Sequence, residues 1–118
     1  MKDLPSACNV YGFLFLNTSL ERVAEVLRIH LGLTNSQVYV YRSQFNSSET
    51  LHIKTETFEF EARKAQQGEP WLFNGSVAGD REEILIVLES LSKPLRWAGY
   101  ETKFEVYDEQ FNFIAEYS

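Results

Sequence analysis

The chain is 118 residues long, 44% hydrophobic, 24% charged and 14% aromatic, with 3 Pro and 6 Gly. This length and balance point to one domain over residues 1–118, able to bury about two thirds of its extended-chain surface, and exclude a collagen-like, low-complexity or largely disordered chain. With 11 basic and 17 acidic residues the net charge is −6, which disfavours direct nucleic-acid or anionic-membrane binding.

The single cysteine, Cys8, excludes an internal disulfide framework and a Cys-rich zinc module. No run reaches the ~18 apolar residues of a membrane span. The apolar stretch Val10 to Leu16 lacks the flanks of a signal peptide, since Asp3 follows Lys2 at once and no small-residue cleavage site follows. A cytoplasmic protein is expected, so the Asn-x-Ser triplets at Asn17, Asn46 and Asn74 read as loop and capping by-products.

From Cys8 to Leu16 apolar side chains occupy both parities, with Val10 and Leu14 on one and Tyr11, Phe13 and Phe15 on the other. Such a pattern predicts a central strand covered on both faces. Thr18 and Glu21 have the spacing of a capping box, and Leu20, Val23, Ala24, Leu27 and Leu31 form a helical stripe closed by Gly32. Gln37 to Arg42 reads as a short strand, followed by a polar loop over Ser43 to Glu49. Between Thr50 and Ala62 the apolar parity switches from Leu51 and Ile53 to Phe58 and Phe60, which requires a bulge or turn near Lys54–Thr57.

After a polar connection over Lys64 to Pro70, Trp71 to Ala78 reads as a strand. Asp80 and Glu83 cap a second helix with the stripe Ile84, Leu85, Leu88, Leu91 and Leu95, in which Pro94 predicts a kink or break near Ser90–Lys93. Tyr100 to Tyr107 and Phe111 to Tyr117 alternate around Asp108, Glu109 and Gln110 as a hairpin. The order β-α-β-β-β-α-β-β predicts an α+β two-layer sandwich, with two helices on a mostly antiparallel sheet of five to six strands, a ferredoxin-like variant.

The search for chemistry is negative for phosphate-loop, dinucleotide, zinc-protease and calcium-loop spacings. His30 closes a helix, His52 lies between Leu51 and Ile53 without a signature for a nucleophile, and Cys8 reads as a buried inert thiol. The expectation is therefore a non-enzyme without cofactor or metal. An enzyme built on His52 would need a carboxylate within hydrogen-bond reach in a cleft.

What remains is a surface. Residues 1–48 carry a net +1 and residues 49–118 a net −7. On the hairpin Glu101, Lys103, Glu105 and Tyr107 share one parity, while Ile114 and Glu116 share the opposite parity of the last strand to Phe113. Glu59 and Glu61 join this acidic field if the register allows. Carboxylates amid aromatics suit a protein interface, which gives Glu101, Glu105, Tyr107, Asp108, Glu109 and Glu116 as candidate partner-binding residues.

In size, charge and layout the chain resembles the small acidic immunity proteins of bacterial toxin systems, including those guarding against contact-dependent inhibition toxins. The local echo is Gly99 to Asp108, GYETKFEVYD. The resemblance implies a cytoplasmic protein that neutralises a basic, nuclease-type toxin by covering its active site, the acidic hairpin imitating a phosphate chain. It carries over no residue-level roles. The alternative is a ferredoxin-like small-molecule-binding regulatory domain acting as a homodimer, with Tyr11, Phe13, Phe15, Tyr39 and Tyr41 lining an apolar pocket.

Overall fold

A computed structural model describes residues 7–15, 19–45, 48–64 and 70–117. The elements follow in the order β1 (Ala7–Phe15), α1 (Leu20–Leu31), β2 (Val38–Arg42), β3 (Glu49–Lys54), β4 (Phe58–Lys64), β5 (Trp71–Ala78), α2 (Arg81–Trp97), β6 (Glu101–Tyr107) and β7 (Phe113–Tyr117). The expectation of an α+β fold with two helices and an antiparallel sheet holds. The sheet has seven strands rather than five or six, in the order β2-β3-β4-β5-β1-β6-β7, and every neighbouring pair is antiparallel.

The extra strand comes from Thr50 to Ala62, which is two strands rather than one bulged strand. Thr55 N–H donates to the Phe58 carbonyl at 2.8 Å, and Thr55 Oγ1 accepts from the Thr57 and Phe58 amides. The chain thus reverses within three residues, placing Ile53 opposite Phe60 and Leu51 opposite Ala62. The switch of parity is the signature of this turn. The four-strand meander from β2 to β5 also separates the fold from the expected ferredoxin-like unit, because β3 and β4 lie between β2 and β5 and β7 extends the sheet beyond β6.

Both helices cover one face. Helix α1 packs on β2 and β3, α2 packs on β5, β6 and β7, and the two helices touch each other. The N-cap of α1 is Ser19, whose side chain accepts from the Arg22 amide at 3.4 Å; the expected cap, Thr18, lies outside the described residues. Gly32 closes α1 with φ 65°, a conformation that favours glycine. At α2 the capping box is complete: Glu83 N–H donates to Asp80 Oδ1 at 2.9 Å, and Asp80 N–H to Glu83 Oε1 at 3.1 Å.

Helix α2 runs through Pro94 to Trp97, so of the expected kink or break near Ser90–Lys93 the break does not occur. Proline in the last turn withholds one backbone donor, and its ring is buried among the residues that hold the helix to the sheet. A buried hydrogen bond of 2.9 Å between Thr102 Oγ1 and Ser92 Oγ ties the same turn to β6.

Three phenylalanines form the centre of the core. Phe60, Phe73 and Phe104 meet at ring-centroid distances of 5.4 to 6.1 Å. They can lie this low on the sheet because Gly12 and Gly75 leave room beneath them. A Cβ on Gly12 would stand 2.6 Å from the Phe104 ring, and one on Gly75 would stand 2.6 Å from the Phe60 ring. Glycine in a strand interior, otherwise unfavourable, here admits an aromatic side chain.

Candidate functional site

Strand alternation sends every second residue to the face without helices. In β1 Val10, Gly12 and Leu14 face the helices, whereas Tyr11, Phe13 and Phe15 are 42%, 45% and 37% exposed. The expectation that β1 is covered on both faces is therefore corrected. The strand is interior in the sheet order, but only its aliphatic parity is covered, because both helices lie on that side.

The register places charge around this aromatic row. Tyr11 lies opposite Glu105, Phe13 opposite Lys103, Phe15 opposite Glu101 and Asn9 opposite Tyr107. On the next strand out, Glu105 faces Glu116. Four of the six sequence-derived candidates, Glu101, Glu105, Tyr107 and Glu116, are thus brought together on the helix-free face. Glu59 and Glu61 share it, opposite Ser76 and Asn74 of β5.

The other two candidates lie in the β6–β7 loop. Asp108 is committed to that loop: its Oδ1 accepts from the Gln110 and Asn112 amides at 2.9 Å, and its Oδ2 accepts from Asn112 Nδ2 at 3.2 Å. The Asn112 amide above all, assisted by the Asn112 side chain and the Gln110 amide, outweighs partial burial and holds this carboxyl below the ordinary aspartate range. Phe111 takes φ 64° in the same turn. Glu109 stands exposed at the tip.

Ile114 is not part of the open face. The register shifts between Val106 and Tyr107, so Phe113 pairs with Tyr107 while Ile114 packs against the core. The rings of Tyr11 and Tyr107 meet edge-on at 5.7 Å and those of Tyr107 and Phe113 at 5.8 Å, an aromatic run across three strands. Tyr107 also donates its hydroxyl to Glu105 Oε1 at 3.2 Å. Partial burial, then that hydrogen bond and the glutamate charge, push the Tyr107 phenol up.

Sequence reasoning assigned Tyr11, Phe13 and Phe15 to a core or pocket and so missed them as surface residues. Their type carried a signal, because aromatic side chains occupy one parity of β1 and aliphatic ones much of the other. Tyr39 and Tyr41 lie on the same face but on β2, with three strands between them and β1, so the five aromatics do not line one pocket. A depression of about 510 Å³ does open on this face, walled by Tyr11, Phe13, Leu72, Lys103, Glu105 and Glu116 among others. Beneath it the Gly12 amide donates to Asn74 Oδ1 at 3.1 Å, Asn74 lying within β5 as the expected strand over Trp71 to Ala78 places it.

Comparison with known proteins gives no assignment. No protein-family model, curated protein or solved structure matches this chain.

At the far side of the open face, His52 Nδ1 lies 3.4 Å from Glu61 Oε1 and the imidazole stacks on Tyr39 at 5.0 Å. This supplies the carboxylate partner that a catalytic histidine would need. The neighbouring depression of about 360 Å³ is lined by Glu59, Glu61 and Arg63 but not by His52. Cys8 is half-buried, its thiol pushed up by burial first and then by the charges of Asp108 and Glu109. Among the described residues no three His, Cys, Asp or Glu side chains are placed to hold a metal ion. No helix among the described residues is long and apolar enough to cross a membrane.

Proposed function

We propose that this chain is a non-catalytic binding protein of the cytoplasm, an immunity protein that neutralises a basic, nuclease-type toxin by laying its helix-free sheet face over the toxin's active site. The observation that carries the reading is the exposed row Tyr11, Phe13 and Phe15 set in register against Glu101, Lys103 and Glu105, with Glu116 beyond. Aromatic side chains of this kind supply contact area at small entropic expense, and flanking carboxylates accelerate encounter with a cationic surface. The net charge of −6 gives that steering its sign. The toxin class rests on the resemblance in size, charge and layout. The docking face rests on the geometry.

The test is capture from the source organism's lysate on immobilised wild-type chain and on a Tyr11→Ala/Phe13→Ala variant. The captured protein is then identified and purified, and its nucleolytic activity is titrated with the chain. The expected result is a basic protein released by high salt, retained poorly by the variant and inhibited at one equivalent. A partner of neutral or acidic character, a partner whose activity is unaffected, or equal retention by both baits would overturn the proposal.

A further inference from the structure

Building on that docking reading, we infer that the depression beside Tyr11 is a socket for one arginine side chain of the partner. Glu105 and Glu116 stand directly opposite each other on β6 and β7, a spacing of about 5 Å between Cβ atoms at which like charges repel. Among the described residues neither is paired with a cation. Glu105 Oε1 already accepts the Tyr107 hydroxyl, which leaves Oε2 and the Glu116 carboxylate for an incoming donor.

A guanidinium meets these groups better than an ammonium does. Its planar fork presents several N–H donors at fixed spacing, so it can bridge two carboxylates and lie against an aromatic face at once. Tyr11 supplies such a ring beside Glu105. Leu72 and Phe13, paired across β5 and β1 at the Lys103 end of the wall, supply apolar surface for the methylene stem. Lys103, at the Phe13 end and without an ion pair among the described residues, sets the polarity of the socket. It repels a cation from that end and leaves the glutamate end as the seat of the charge.

The probe is the doubly capped peptide acetyl-Gly-Arg-Gly-amide, titrated into isotopically labelled protein while amide chemical shifts are recorded. Its citrulline counterpart, with a neutral urea in place of the guanidinium, is the control. The arginine peptide is expected to give saturable, millimolar-range shifts confined to Gly12, the Asn74 side-chain amide and Lys103 to Glu105, and the citrulline peptide none. Glu105→Gln/Glu116→Gln should weaken binding about tenfold, and Lys103→Gln should strengthen it. Equal response to both peptides, shifts scattered over all carboxylates, binding undiminished in the double variant, or weaker binding in Lys103→Gln would each overturn the socket. Because the probe is a peptide rather than the partner, the socket can fail while a basic protein still docks, and the converse result is equally readable.

Discussion

Asp108 shows how a single carboxylate can be claimed by the fold before any partner reaches it. Its charge is stabilised by amides of its own loop, so its pKa in the folded state lies below its unfolded value of about 3.9. That contribution to stability is fully present above the unfolded value and is lost as pH falls through the folded one. Asp108→Ala should therefore melt below wild type at neutral pH, and the gap should narrow as pH drops below about 4. A gap that stays constant down to pH 3 would show that the carboxylate charge does not organise the turn.

Gly75 makes a second residue-scale case. An alanine there would drive its methyl into the Phe60 ring and the β4 backbone, so Gly75→Ala should cost about 1–3 kcal/mol by overpacking. A denaturant titration showing no loss would mean that the three-phenylalanine cluster shifts without resistance. The contrast between these residues explains what the sequence revealed. Alternation identified the exposed parity of β6 without ambiguity. The role of Asp108 depended on a turn whose hydrogen bonds involve residues up to four apart and cannot be read from residue type.

At the scale of elements, local chemistry was the most legible. The Asp80–Glu83 box, the two apolar stripes and the β6–β7 hairpin all follow from spacing within one element or its neighbour. Asp80→Ala should accordingly destabilise the fold by about 1 kcal/mol through loss of the Glu83 N–H to Asp80 Oδ1 bond at the start of α2; thermal melts indistinguishable from wild type would show that tertiary packing alone holds that end. Less legible was anything requiring knowledge of which strand lies beside which. The parity switch between Ile53 and Phe58 suited a bulge as well as a turn, and the turn made the difference between six strands and seven. Both parities of β1 are apolar, which suits coverage on two faces, but α1 and α2 lie on the same side. Pro94 illustrates the opposite case, where burial in the core outweighs a local helix-breaking preference.

For the whole molecule, the two layers divide the labour. One side of the sheet is closed by two helices over an aromatic core, and the other is left open with its rings and carboxylates in register. Seven strands make that open side broad enough to carry Glu59 and Glu61 of β4 on one flank and Glu101, Glu105 and Glu116 of β6 and β7 on the other, with the uncharged faces of β5 and β1 between them. Charge concentrated in residues 49–118 is thereby folded onto a shared surface with the aromatics of β1, although the two segments are far apart in sequence.

The most direct measurement of that division is the association rate of the captured partner as a function of salt. It would compare wild type with two matched charge reversals, Glu105→Lys/Glu116→Lys on the open face and Glu25→Lys/Glu89→Lys on the helices. Each pair adds four charges and takes the net charge from −6 to −2, so overall charge is held equal and only its placement differs. Electrostatic steering by the open face predicts that the helix-side variant keeps a fast, salt-sensitive association close to wild type, while the open-face variant associates slowly with little dependence on salt. Wild-type kinetics in the open-face variant, together with slow association in the helix-side variant, would contradict the account and move the docking surface to the other layer.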